Sequence, residues 1–234
     1  MMPVDAFPLD DRGLLLGDGL FETMLWTGGD LPHLDAHLAR MTAGCVTLGL
    51  PPLDAETARA LCLAAPALRL ATTVAASPAP TTPVDLMLAK TRRNEGSPAA
   101  RLKTLSYVDN VLARAEAKAA GADEAVMRNN HGDLTCAAAA NLFWITGDIL
   151  FTPALHCGVL EGIARGRVLD LAHRLEVEVH EVATGAEALD EAEAVFLTNS
   201  LIGVRPARRF EGEAFAPHAL VERLRDEMAE VVSS

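Results

Sequence analysis

Lys103 stands in the run Leu102-Lys103-Thr104-Leu105, an amine flanked by apolar side chains just before a predicted helix start. A lysine held in an apolar wall has its pKa lowered, the condition for Schiff-base chemistry with a carbonyl. The same residues also suit a surface lysine whose stem packs on Leu102 and Leu105 while its head stays in water, the commoner arrangement for so short a pattern. Three other segments carry polar groups at suggestive places. In Asp11-Arg12-Gly13-Leu14-Leu15-Leu16-Gly17-Asp18-Gly19-Leu20-Phe21-Glu22-Thr23, glycines bracket an aspartate, which suits either close backbone approach at a site or a plain hairpin. Gly162-Ile163-Ala164-Arg165 opens a predicted helix, where free N–H groups favour an anion, as at any helix start. Thr198-Asn199-Ser200 follows an apolar strand and offers hydroxyl and amide groups, or simply a turn.

The elements that must position these groups follow from periodicity. Residues 34–50 place Leu38, Met41, Cys45 and Leu48 at helical spacing with Gly49 as a stop, and Asp54 caps a second short helix with Ala58, Leu61, Cys62 and Ala65 inward. Residues 68–76 and 84–90 read as strands, and 92–98 as a linker. The expected organisation is a domain over 1–93, a linker over 94–102 and a second domain over 103–234. Ser106 with Asp109 resembles a capping box, ahead of a helix with Val108, Val111, Leu112, Ala115 and Ala119 as its apolar stripe. Strands are expected at 125–128 and from 134, joined across Asn129 to Gly132, and at 141–146 and 149–152, joined across Gly147-Asp148. A helix over 163–175 carries Ala164, Val168, Leu171, Ala172 and Leu175 on one face. Then come a strand at 177–182, a short helix capped by Thr184 with Glu187, a strand at 194–197, and a last helix with Leu220, Leu224, Met228 and Val231 inward. The order gives an α+β chain of two halves with mostly antiparallel strands.

Composition narrows the classes. Among 234 residues, 20 Lys+Arg face 32 Asp+Glu, a formal charge of −12, so wrapping nucleic acid or an anionic membrane surface is disfavoured. Cys45, Cys62, Cys136 and Cys157 form no C-x-x-C pair and no metal-ligand spacing with the seven histidines, so neither a disulfide framework nor a metal site is expected. The start Met1-Met2-Pro3-Val4-Asp5 lacks a basic region ahead of an apolar one, and the apolar stretch 61–76 is interrupted by Pro66 and Arg69, so a cytoplasmic protein is expected.

Taken in order, DRGLLLGDGLFET, HLARM, LKTLSYVDNVLARAEA, GADEAV, AAANLFWI, LFTP, VLEGIARGRVL and DEAEAVFLTNSLIGVRP resemble the fold-type IV pyridoxal-phosphate enzymes, the class IV aminotransferase superfamily, over nearly the whole chain. Its members include branched-chain aminotransferase, D-amino acid aminotransferase and 4-amino-4-deoxychorismate lyase. The resemblance implies a two-domain α+β fold with pyridoxal 5'-phosphate between the domains, and a homodimer whose interface completes each site. Lys103 would carry the cofactor as a Schiff base and then act as general acid and base. Arg40, in His37-Leu38-Ala39-Arg40, would pair with the cofactor phosphate, with Ile163, Ala164, Asn199 and Ser200. Ala164 stands where the family usually has threonine, which removes one hydroxyl, and Asn141 would brace its strand or act chemically.

One departure bears on the reaction. The family places a glutamate at the cofactor's ring nitrogen five residues before the Asn-Leu-Phe match, and this chain has Cys136 there, a weaker proton holder or a small buried hydrophobe. That substitution, Thr23 after Phe21-Glu22, and the form of Thr198-Asn199-Ser200-Leu201 resemble the lyases more than the aminotransferases. The arginine- and glycine-rich stretch that traps a substrate carboxylate in D-amino acid aminotransferase has no counterpart between Thr72 and Val84, leaving Arg92 and Arg93 as replacements or as solvated linker charges. The resemblance therefore implies a lyase converting 4-amino-4-deoxychorismate to 4-aminobenzoate and pyruvate, a reaction of folate biosynthesis, with Thr23 hydrogen-bonded near the bond that breaks. The alternatives are a D-amino acid or branched-chain aminotransferase, and a protein that binds the cofactor without turnover.

Overall fold

The computed structural model describes residues 10–27, 30–63 and 82–230. The strand expected at 68–76, the connection after it, and Ala65 and Val231 lie outside the described residues. The chain forms two compact units, one from Met1–Pro78 with Leu102–Tyr107, the other from Ala79–Arg101 with Val108–Ser234.

In the first unit, α1 (Arg12–Leu16) is capped by Asp11, whose carboxylate accepts from Leu14 N–H at 2.9 Å, and it ends at Gly17 with φ 67°. Helix α2 (Leu34–Leu48) ends, as expected, at Gly49 with φ 65°, a conformation that costs glycine least. Helix α3 (Ala55–Leu63) starts after Asp54, which accepts from Thr57 N–H at 3.0 Å. Leu34 and Leu38 of α2 and Ala58 of α3 bury against Leu31, with Met24, Trp26, Leu53 and Cys62 at the edge of the cluster. Residues 19–21 run antiparallel to 103–105: Phe21 N–H donates to the Lys103 carbonyl at 3.0 Å and Leu105 N–H to the Gly19 carbonyl at 2.9 Å.

The second unit is built on one sheet. Its strands are β1 (Val84–Arg93), β2 (Glu124–Asn129), β3 (Leu134–Ala137), β4 (Asn141–Thr146), β5 (Ile149–Pro153), β6 (Glu178–Val182), β7 (Ala194–Asn199), β8 (Gly203–Phe210) and the short β9 (Glu213–Ala214). The order is β3-β2-β1-β8-β7-β4-β5-β6, with β9 on β8. The hairpins β2/β3 and β4/β5 are as the sequence predicts, while β1/β2, β1/β8 and β5/β6 are parallel. Helices α5 (Ile163–Arg174) and α6 (Ala219–Glu230) cover one face, where Ala164, Val168, Leu171, Val221, Leu224 and Met228 bury with Phe143 and Phe196, whose rings stack 5.0 Å apart.

Several local expectations differ from the structure. Helix α4 (Val108–Ala120) buries Asn110, Ala113 and Ala117, not the predicted stripe, and leaves Val108, Val111 and Leu112 at 67%, 59% and 50% exposure. Alanines let this helix pack closely against β1 and β2, in a cluster with Ala89, Ala125 and Met127, so its larger apolar side chains point away. The Ser106 hydroxyl lies 3.4 Å from the Gly17 carbonyl and the helix begins at Val108. The turn Ala186–Leu189 is a 3-10 helix capped by Gly185, without the side-chain cap expected of Thr184. The sequence boundary at 93 falls inside the second unit, because β1 is hydrogen-bonded on both edges, to β2 and to β8. Arg92 and Arg93 are therefore strand residues and not part of a linker, Arg92 exposed and Arg93 buried. Arg92 donates to the Asn129 carbonyl at 2.8 Å, and buried Arg93 donates to Gly158 and Ala100 carbonyls and Asn110 Oδ1 at 3.0, 2.5 and 3.2 Å.

Candidate functional site

The first unit gathers charge around Lys103. The chain has three lysines, Lys90, Lys103 and Lys118; Lys90 and Lys118 are exposed and Lys103 is half-buried. Burial lowers the Lys103 pKa from its ordinary 10.5; the Glu22 carboxylate opposes this, and the Arg40 guanidinium adds to it. Nζ lies 4.2 Å from the Phe21 ring centroid, and Tyr107 meets the same ring edge-on at 5.6 Å.

Beside Phe21, Glu22 accepts from Arg40 Nε at 2.8 Å, from Arg40 Nη2 at 2.5 Å, and pairs with His37 Nδ1 at 2.7 Å. Burial would raise the Glu22 pKa, but hydrogen bonds from His37 and Arg40 and the arginine's charge overcome it and hold the carboxyl below its usual range. The sequence reading assigned Arg40 a phosphate and gave Glu22 and His37 no part. The available signal was the three-residue spacing of His37 and Arg40, which puts both on one face of α2. Thr23 is half-buried beside Glu22.

The second unit builds a different feature at the start of α5. Gly162 caps the helix in extended backbone (φ −75°, ψ 140°) with no side-chain cap over the first N–H groups, those of Ile163 and Ala164. A Cβ on Gly162 would fall on Asn141 Oδ1, so only glycine fits while Asn141 Nδ2 donates to the Leu160 carbonyl at 2.9 Å. Across the sheet Asn141 pairs with Thr198 as Phe143 pairs with Phe196, so strand alternation puts Thr198 on the α5 face. Thr198 is fully buried and its hydroxyl has no hydrogen-bond partner among the described residues. A helix N-terminus capped by glycine and a buried hydroxyl without a partner among the described residues fit an oxyanion, and the amine at Lys103 fits covalent attachment, the two things the implied cofactor needs.

Asn199 ties its turn to the loop before β4: Nδ2 donates to the Ala139 carbonyl at 2.9 Å and Oδ1 accepts from Leu201 and Ile202 N–H at 2.9 and 3.0 Å. Ser200 beside it is half-buried. Cys136 is a free, buried thiol on β3, 3.6 Å from the Thr135 hydroxyl. Asn141 engages the Leu160 carbonyl, a contact that braces the segment before α5.

Comparison with known proteins bears on these features together. The model of the family described as amino-transferase class IV matches residues 19–71 and 60–210. A crystal structure of 4-amino-4-deoxychorismate lyase from Pseudomonas aeruginosa has a TM-score of 0.85 and 30% identity, covering 97% of this chain and 96% of that one. The aminodeoxychorismate lyase of Vibrio harveyi is 26% identical over 237 residues, 88% of each protein. A candidate branched-chain-amino-acid aminotransferase of Methanocaldococcus jannaschii is 28% identical over 185 residues, which are 79% of this chain and 56% of that protein. The chain thus spans little more than half the length of that relative.

Proposed function

Because the chain belongs to the class IV amino-transferase family, we propose that it works as a pyridoxal-phosphate lyase, converting 4-amino-4-deoxychorismate to 4-aminobenzoate and pyruvate. The observation that carries the cofactor assignment is Lys103, the one lysine of three that is not exposed, whose burial favours the neutral amine. The lyase reading is supported by the 30% identity to the Pseudomonas aeruginosa lyase structure and the 26% identity to the Vibrio harveyi lyase over 88% of each protein, and by the features of Cys136 and Thr23 noted above.

Pyridoxal phosphate, when bound, supplies an electron sink that acidifies the carbon bearing the substrate's amine. Lys103 would hold it through Nζ and would move the proton at that carbon; a lowered pKa keeps more of the amine in the basic form at neutral pH. Arg40 in the first unit, and Ile163 and Ala164 N–H with Asn199 and Ser200 in the second, are assigned to the phosphate, with Thr198 as the hydroxyl that Ala164 lacks. Cys136 is assigned to the ring nitrogen, where a neutral thiol would stabilise a protonated nitrogen less than a carboxylate at the same place. Thr23 hydrogen-bonds near the bond that breaks. Loss of pyruvate leaves an aromatic ring, so product stability drives the elimination.

A homodimer and a cytoplasmic setting belong to the same proposal. The exposed Val108, Val111 and Leu112 on α4 support a covered face, and four free cysteines fit a reducing compartment. The competing aminotransferase reading draws on the Methanocaldococcus relative, and the reading as a binder without turnover draws on Cys136 and Ala164. The test is pyruvate release from 4-amino-4-deoxychorismate by cofactor-loaded protein with no 2-oxo acid present. Release beyond one equivalent per chain supports the lyase. Turnover only with an added 2-oxo acid replaces it by the aminotransferase, and no conversion with any amine donor leaves the binder.

A further inference from the structure

Glu22 joins the Lys103 segment to α2. Through its neighbour Phe21 it is hydrogen-bonded to the Lys103 backbone, and through its carboxylate it grips Arg40 and His37 one helical turn apart. The side chain is 6% exposed, His37 is 1% exposed and Arg40 18%, so the carboxylate and the guanidinium meet beside the imidazole with little water to screen them. The bidentate contact uses the Nε and Nη2 edge of the guanidinium, which fixes the plane of Arg40. A half-buried arginine near a lysine lowers the lysine's hold on its proton; Glu22 supplies the compensating charge.

We propose that Glu22 is a positioning residue of the Lys103 site, orienting Arg40 toward its oxyanion and balancing the arginine's charge beside Lys103 Nζ. The inference rests on the reading above for the oxyanion, which is the cofactor phosphate, while the charge balance concerns the protein alone. Among the described residues, the charged or titratable groups that bear on Nζ are Glu22 and Arg40, with His37 acting through Glu22 from α2 and Tyr107 packed on the far side of Phe21. Charge and geometry make separate predictions. Glu22→Gln keeps the shape and an acceptor but removes the charge; Glu22→Asp keeps the charge but shortens the reach. The Lys103 titration should follow the charge, and cofactor affinity should follow the geometry.

The experiment uses a Lys90→Arg/Lys118→Arg background, which leaves Lys103 as the one side-chain amine, and follows the pH dependence of its labelling by an amine reagent in cofactor-free protein. Glu22→Gln should move the labelling midpoint down, Glu22→Asp should leave it near the parent's, and Arg40→Gln should move it up. Pyridoxal phosphate binding, read from the near-ultraviolet band, should weaken at least tenfold in Glu22→Asp, which loses the reach to Arg40, and clearly less in Glu22→Gln, which keeps it. Should Glu22→Gln fail to fold, the upward shift in Arg40→Gln and the behaviour of Glu22→Asp still decide the matter. Midpoints that stay put in Glu22→Gln and Arg40→Gln, or equal shifts in both Glu22 variants, would overturn the proposal. Because the titration needs no cofactor, its failure is distinguishable from a failure of the functional reading, which would show as normal midpoint shifts without cofactor on Lys103.

Discussion

Gly162→Ala should be among the most damaging single-methyl changes in the protein, and Asn141 is the reason. Gly162 sits at φ −75°, ψ 140°, a conformation any residue adopts, so the backbone is no obstacle. The obstacle is Asn141 Oδ1, which fills the place of the added Cβ. Asn141 is 6% exposed, and moving it breaks the 2.9 Å bond to the Leu160 carbonyl with little water to replace it. Losing one buried hydrogen bond costs about 1–3 kcal/mol, and forcing extra volume into packed structure adds about 1–3 kcal/mol. A total near 3 kcal/mol corresponds to a fall in Tm of about 6–12 °C for a chain of this size. The assay is urea unfolding of a double-mutant cycle. Asn141→Ala removes the hydrogen bond and the obstruction together, so Gly162→Ala on that background should cost less than about 1 kcal/mol, a coupling of about 2 kcal/mol. An equal cost of Gly162→Ala in both backgrounds, or a variant as stable as the parent, would refute the account of how α5 is seated.

Three further outcomes follow. Burial lowers the Lys103 pKa from 10.5, so between the lowered value and 10.5 the unfolded chain binds more protons and stability rises with pH; Lys103→Met should be more stable than the parent at pH 7, with the gap closing above pH 10.5 in thermal melts. Arg93→Met strands three acceptors, on Gly158, Ala100 and Asn110, and should cost about 3 kcal/mol or more by urea unfolding; a cost under about 0.5 kcal/mol would return Arg93 to the solvated linker role. On α4, Ala113→Leu overpacks a fully buried position and should cost about 1–3 kcal/mol, whereas Val111→Glu should leave the single chain's stability within about 0.5 kcal/mol and, by light scattering, shift pairs of chains toward single ones.

How much the sequence discloses depends on how strongly each residue type signals its surroundings. Gly49, Asp54 and the Gly147-Asp148 turn mark their boundaries because each does a backbone job that few residues can do. Helix α4 misled because its buried face is alanine and asparagine, which carry little hydropathic signal, while its valines and leucine face out. Strand β8 escaped notice because Pro206 and three arginines argue against a central strand. In the structure Gly203 to Pro206 pair with β7 and Ala207 to Phe210 with β1, so the proline lies where the strand changes partners. At the candidate site, motif order singles out Lys103 and Arg40, both of which lie near Glu22 in the structure. Glu22 as their common counter-charge is not singled out, since it lies 18 residues from Arg40 and ordinary local spacing does not bring the two together.

The central claim is that Lys103 carries the cofactor, and it can be read directly. Protein loaded with pyridoxal phosphate is treated with borohydride, which fixes the carbon–nitrogen link, and the peptides are mapped by mass spectrometry. The account predicts a phosphopyridoxyl group on Lys103, with Lys90 and Lys118 unmodified at one equivalent of cofactor. Modification spread over Lys90 and Lys118, or a Lys103→Ala protein that keeps the cofactor's absorption band and full turnover, would contradict it.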